Sequence, residues 1–207
     1  MKHSALYLVM AAVLFMACAQ TKSVERIDPE TTTDLSGKWN DTDARLVAEE
    51  MITDALTKPW LNQHALNKQK SPVVIVGTVR NESMEHIDTE VFTKEIERAF
   101  VNSGSVSMVA SRDERAEVRE ERLDQQENAS FETTKKLAKE LGADYMMIGN
   151  INSIQDEGTN GRKIGKKKYI AVFYTVNLEL VNVESNQKVW IGNKKIKKWI
   201  EIKNYKS

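Results

Sequence analysis

Between Pro72 and Arg80 the chain reads Val73-Val74-Ile75-Val76-Gly77-Thr78-Val79. This run is short, β-branched and nearly without polar positions. Such a segment has no side to turn toward water, so it predicts a central strand buried on both faces. The remaining elements must then supply cover for a sheet. Their order can be followed from the local signals on either side.

Upstream, Asn40-Asp41-Thr42-Asp43 supplies a helix cap and acidic residues for a first turn. Ala44, Val47, Ala48, Met51, Ile52, Ala55 and Leu56 then recur at helical spacing, and Pro59 is expected to end that helix. Trp60 to Lys70 reads as a polar connector containing one aromatic residue. Downstream of the apolar run, Arg80 to His86 reads as a polar loop. Asp88 caps a helix whose inner stripe is Phe92, Ile96, Ala99 and Phe100, with Ile87 and Phe92 as a hydrophobic staple and Gly104 as the stop. Val106 to Ala110 predicts a second strand. Ser111 and Glu114 form a capping box for a charged helix to about Gln126. A further helix is expected from Ser130 to Gly142.

The last third changes period from helical to alternating. Asp144 to Ile154 predicts a strand, Asp156 to Lys168 a Gly- and Lys-rich loop, and Tyr169 to Val183 a long strand. In that long strand Ile170, Val172, Tyr174, Val176, Leu178 and Leu180 share one face. Glu184 to Gln187 turns into a final strand from Val189 to about Ile200. The fold class is therefore α/β: a mixed, mainly antiparallel four- to five-stranded sheet flanked by about four helices, with a C-terminal β-meander.

The N-terminus carries a different message. Lys2 and His3 precede an apolar run from Leu6 to Ala17, which suits a signal-peptide core and is too short for a permanent membrane span. The only cysteine of the 207 residues, Cys18, follows Ala17 directly. Leu14-Phe15-Met16-Ala17-Cys18 resembles a lipobox, with Phe15 standing where leucine is commoner. Residues 1–17 are read as a lipoprotein signal peptide, Cys18 as the lipidated residue, 18–36 as a flexible tether and 37–207 as the folded domain. Ala19, rather than aspartate, after the cysteine favours the outer membrane by resemblance to diderm lipoproteins. A tether of this length reaches at most roughly 60 Å extended and roughly 20–25 Å as a coil.

Composition and motifs narrow the chemistry. The formal net charge is zero, so no strong field favours nucleic acid. A single cysteine excludes an internal disulfide or a cysteine zinc cluster. Glu82, Glu85, His86 and Asp88 match no standard metal spacing. Ser83 beside His86 is accounted for by helix-entry polarity. Gly158, Gly161 and Gly165 lack the strand–helix junction of a phosphate loop. No catalytic constellation, metal site or cofactor is implied. The lysines at 166–168 and 194–198 read as a solvated loop and edge strand. Two surfaces remain as candidate partner-binding sites. One is the loop with Arg80, Asn81, Glu82 and His86. The other is the last strand with Trp190 and Trp199. If Val189 and Ile191 face the core, Trp190 is partly exposed, and tryptophan is a favoured interface anchor.

Arg80-Asn81-Glu82-Ser83-Met84-Glu85-His86-Ile87-Asp88-Thr89 resembles a signature of the LpoB family, lipoprotein activators of penicillin-binding proteins. Leu141 to Gly149 resembles a second hallmark, and Leu180 to Trp190 is similar to the family's C-terminal hairpin. The resemblance implies a fold related to the N-terminal domain of TolB and the core of CsgG. It also implies an outer-membrane lipoprotein that binds a class A penicillin-binding protein and stimulates its glycosyltransferase and transpeptidase activities, with no catalysis of its own. The best-known members carry a long proline-rich stretch, whereas this chain has three prolines and a short tether. A structural subunit of another envelope assembly, related to CsgG-type lipoproteins, is the alternative. A hydrolase of envelope glycans, which needs a pair of carboxylates about 5–9 Å apart, is a third. Partner identity, binding face and oligomeric state stay open at this level.

Overall fold

A computed structural model describes residues 25–28, 31–32, 34, 36–127, 142–160 and 167–203. The predicted signal peptide, Cys18 and the expected helix from Ser130 lie outside the described residues. The chain divides into two compact units, residues 1–31 and 32–207. In the first, Thr31 turns back on Asp28 through its amide and its hydroxyl.

The second unit is built on a five-stranded mixed sheet. Its strands are β1 (Val73–Glu82), β2 (Ser107–Met108), β3 (Tyr145–Asn160), β4 (Lys167–Asn182) and β5 (Lys188–Ile202), in the order β2-β1-β3-β4-β5. β1 runs parallel to β2 and β3, while β3, β4 and β5 form an antiparallel meander. The described helices are α1 (Asp41–Leu56), α2 (Pro59–Lys68), α3 (Thr89–Ser103) and α4 (Arg112–Glu127). This is the predicted α/β class. Val73 to Val76 are all buried, as expected of a strand covered on both faces.

Four local expectations are corrected. The connector from Trp60 to Lys70 is α2. Pro59 does not only stop α1; it also opens α2, because proline lacks an N–H that the first turn would leave unpaired anyway. Trp60 and His64 of α2 are buried, and the Trp60 indole donates to the Ala55 carbonyl at 2.8 Å. Second, the loop expected from Arg80 begins later, since Arg80, Asn81 and Glu82 pair with β3. Third, β3 and β4 pair without a register shift from Tyr145↔Asn182 to Asn160↔Lys167. Residues 156–160 and 167–168 of the predicted loop are therefore strand, and 161–166 lie outside the described residues. The second strand is also shorter than the predicted Val106–Ala110.

Helix entries follow the predicted capping. Asn40 and Asp43 exchange side-chain-to-backbone hydrogen bonds at 3.0 Å each. Asp88 accepts from the Glu90 amide, and Gly104 closes α3 at φ +64°. Ser111 and Glu114 form the capping box of α4. The core joins Ala48, Met51 and Ile52 of α1 and Phe92, Ile96 and Phe100 of α3 to the inner face of β4, where Val172, Tyr174, Val176, Leu178 and Leu180 are buried.

A charged pair, Lys198 and Asp43, is buried with them. Lys198 of β5 donates to Asp43 at 2.6 Å, to Asp34 at 2.8 Å and to the Lys38 carbonyl at 2.9 Å. Burial works against its charge, yet the two carboxylates hold its pKa above the usual lysine value. The same segment is tied down nearby. Tyr174 donates its one hydroxyl proton to Glu85 at 2.5 Å, with the Gly37 carbonyl oxygen 3.0 Å away, and Glu85 also accepts from the Trp39 amide. The Trp39 ring packs edge-on against Phe92 and Tyr174.

Replacing Lys198 by Met leaves the Asp43 carboxylate buried without its cation. It should cost about 3 kcal/mol of unfolding free energy in urea. Adding Asp43→Asn should restore part of that loss. The Lys198 bond holds the Asp34 carboxyl below its ordinary pKa, so the bond stabilises the fold above the usual carboxylate range. That contribution should fade as pH falls through the lowered folded value. A Lys198→Met chain as stable as the parent would refute this account of the clamp.

Candidate partner-binding surface

A strand's side chains alternate between faces, so the register that turns Val176 and Leu178 inward turns Asn177 outward. The pairing then aligns like with like. Arg80 opposes Asn150, Asn150 opposes Asn177, and Asn177 opposes Asn193. These side chains form a directed chain of hydrogen bonds across four strands. Asn193 donates to Asn177 at 2.6 Å, Asn177 to Asn150 at 3.1 Å, and Asn150 to Glu82 at 2.6 Å. Arg80 closes the end by donating to the other Glu82 oxygen at 3.2 Å. Each amide still keeps one donor and lone-pair capacity that the ladder does not use. A flat face with such unused groups is suited to another polar surface rather than to a small substrate.

Apolar groups flank the ladder on the same face. Toward the β3–β4 turn, Trp199 is 63% exposed and Ile154 69% exposed. The Trp199 ring lies 5.5 Å from that of Tyr169, and the Lys197 ammonium sits 4.7 Å over the Phe173 ring. On the other side Ile191 is exposed. Exposed tryptophan on a rigid strand, beside cations and amides, has the composition of an interface centre.

The loop after β1 is internally fixed. Asn81 accepts from the Ser83 hydroxyl at 2.6 Å and donates to the Glu85 carbonyl at 2.8 Å. The Met84 amide donates to the Ser153 hydroxyl of β3 at 2.8 Å. Ser83 is thus occupied in shaping the loop. Glu85 faces the N-terminal segment through Trp39 and Tyr174. Burial, and then the Glu85 carboxylate, keep the Tyr174 phenol above its ordinary pKa. Arg80, Asn81, Glu82 and His86 are exposed.

The structure thus unites Arg80, Glu82 and Trp199 on one face and removes Trp190 from it. Trp190 is only 5% exposed, and its indole donates to Asp54 of α1 at 2.9 Å. The cause is a register shift. Leu180 pairs with Trp190 but Val181 pairs with Lys188, so Val189 is an extra residue that resets the alternation. Gly192 makes room, since a Cβ there would collide with the Trp190 ring. Trp190 is a core residue, contrary to the partial exposure considered from sequence.

Asn150, Asn177 and Asn193 are not singled out by the sequence, since only strand order and register bring them together. Counting register outward from the Glu184–Gln187 turn is the signal that links them, but the bulge at Val189 spoils the count.

The three segments that resemble the LpoB family occupy the end of β1, the start of β3 and the β4–β5 turn. Residues 43–196 match the family model described as the peptidoglycan-synthase activator LpoB, and the chain belongs to that family. Its general role is accordingly that of a peptidoglycan-synthase activator. Among solved structures, it is similar to the LpoB C-terminal domain from Salmonella enterica. That match has 14% identity and a TM-score of 0.45, and it covers 74% of this chain and 98% of that one. It is also similar to LpoB from E. coli, at 14% identity and a TM-score of 0.41, covering 91% and 86%. A third similar structure is lipoprotein GNA1162 from Neisseria meningitidis, at 16% identity and a TM-score of 0.30, covering 62% and 83%. No curated protein matches the sequence.

Asn177→Ala should cut the ladder at its centre at a cost of about 1 kcal/mol. The side-chain amide protons of Asn193 should then exchange faster by NMR, while backbone protection in α1 and α3 stays unchanged. Equal exchange in both proteins would mean that the ladder does not persist in solution.

Proposed function

We propose that this chain is an outer-membrane lipoprotein whose domain binds a class A penicillin-binding protein and stimulates its glycosyltransferase and transpeptidase activities. It is exported, cut before Cys18 and held by lipid on that thiol, at about 0.8 kcal/mol per buried CH2 of each acyl chain. It catalyses no reaction itself. The observation that carries this reading is the family match, which spans nearly all of the second compact unit.

The open sheet face supports the reading. The ladder from Arg80 to Asn193 gives orientation, and Trp199 with Ile154 and the Lys197–Phe173 pair gives apolar anchorage. The clamp at Asp34 supports a short reach. If chain between Cys18 and Asp34 alone is free to extend, the anchor-to-domain distance stays within roughly 55 Å. The partner therefore extends toward the outer membrane to be met.

Mature protein in detergent, added to a purified class A penicillin-binding protein, should form a complex and raise the rate of glycan polymerisation severalfold. Trp199→Ala and Arg80→Ala should each weaken the complex about tenfold with unchanged melting temperature. Trp190→Ala should instead lower the melting temperature, as expected for truncation of a buried aromatic. Neither binding nor a change in rate would defeat the proposal. Separately, Cys18→Ala should move the protein out of the membrane fraction, and a protein that stays there would show that lipid on Cys18 is not the anchor.

A further inference from the structure

β5 ends the sheet, so one of its long sides has no neighbouring strand among the described residues. From Trp190 to Ile202 it pairs with β4 without a shift in register, and this stretch holds neither a proline nor a bulge to break its free edge. Every second residue of such a strand turns its N–H and C=O away from the sheet. The N-terminal segment passes close by, yet among the described residues no backbone hydrogen bond joins it to β5. A groove of about 350 Å3 lies instead between Asp34, Ser36 and Gly37 on one side and β5 from Lys197 to Glu201 on the other.

The outer face of this edge has a definite chemical order. Asn193, Lys195, Lys197 and Trp199 are exposed and alternate with half-buried or buried residues. Asn193 donates into the amide ladder, which runs from β5 toward Glu82. Its own side-chain oxygen accepts from no group among the described residues, so the ladder ends at the edge on an unused acceptor. The lysines of β5 differ in their partners. Lys188 pairs with Glu179, Lys194 with Glu50, and Lys198 with Asp34 and Asp43. Lys195 has no carboxylate partner among the described residues, and Lys197 sits over the Phe173 ring.

Lysines at a free edge keep other strands away. These two do so selectively. A second copy paired two-fold about Ile196 sets Lys195 against Lys197, and like charges directly opposite are destabilising. A strand with carboxylates at those positions gains from the same lysines.

We propose that the β5 edge receives an extended acidic segment of the partner protein as an added antiparallel strand. The segment has a period of two. It sets an apolar residue opposite Trp199, carboxylates opposite Lys197 and Lys195, and a carboxamide opposite Asn193. That carboxamide donates to Asn193 Oδ1 and lengthens the ladder by one member. The first residues of the segment enter the groove beside Asp34 and Gly37. Backbone hydrogen bonds supply affinity, and alternate side chains select the partner. The antiparallel sense continues the meander and gives the more stable pairing per residue. The inference rests on the outer face being the binding surface, and it adds the means by which that face is engaged.

The test is an NMR titration of isotope-labelled mature protein in detergent with two blocked nonapeptides. One is Thr-Leu-Thr-Glu-Thr-Glu-Thr-Asn-Thr, and the other has lysine in place of both glutamates. With the first, amide signals from Asn193 to Trp199 should move. Every second amide there should exchange more slowly, while those already bonded to β4 keep their rates. The lysine peptide should bind about tenfold more weakly. Lys195→Glu combined with Lys197→Glu changes only exposed side chains, and it should reverse the preference between the peptides with an unchanged melting temperature. Equal affinity for the two peptides, an unchanged preference in the double variant, shifts confined to residues outside β5, or no shifts at millimolar peptide would each overturn the proposal. No synthase is present in this titration. A synthase that binds where the acidic peptide does not would refute the added strand alone, and the reverse result would refute the choice of synthase as partner alone.

Discussion

The unbroken antiparallel register of β3 against β4 governs most of what this domain presents. Side chains alternate with a period of two, so a one-residue slip would exchange the two faces along the whole meander. In the observed register Val176, Leu178 and Leu180 meet α1 and α3, and Asn150 and Asn177 face outward together. Core and candidate interface are thus two readings of one alignment. Gly149 shows how tight it is, since a Cβ there would collide with the Asn177 carbonyl and the Leu178 side chain. The polar ladder adds a penalty to slippage, because displaced amides would lose partners that run in one direction to Glu82.

The register also explains how far sequence reasoning could go. The apolar run at Val73, the stripe of α3 and the alternation of β4 are strong local signals, and each is realised. The failures have local physical causes. Trp60 and His64 sit in a short segment whose few apolar residues, Trp60, Leu61, Ala65 and Leu66, do not repeat along one helical face, so α2 offers no stripe to read. Its burial comes from Tyr145, which lies far away in sequence. Trp190 was left open because a bulge is invisible to a count of alternating residues. The candidate site was half legible. Arg80, Glu82 and Trp199 stood out by type, but their union with Asn150 and Asn193 needs strand order, which no single segment encodes.

The polar groups inside the domain fall into two kinds. Lys198, Asp43, Glu85 and Tyr174 are mutually satisfied, and they join β5, α1, the β1 loop and the N-terminal segment into one network. His64 differs in that one ring nitrogen is satisfied and the other is not. Satisfied networks contribute to a single packing arrangement, whereas a buried polar atom without a partner costs stability.

The clamp at Lys198 has a mechanical consequence. A pull arriving from the N-terminal side enters the domain at Asp34 and is divided at once between Lys198 on β5 and Asn40 at the start of α1. Tyr174 takes a further share through Glu85, which accepts from the Trp39 amide. The load is thus passed to the middle of the meander before α1 can be peeled away. Short charged contacts of this kind are stiff and yield over small extensions. The domain would therefore hold its shape under a steady tug until the contacts of Asp34 and Trp39 give way together.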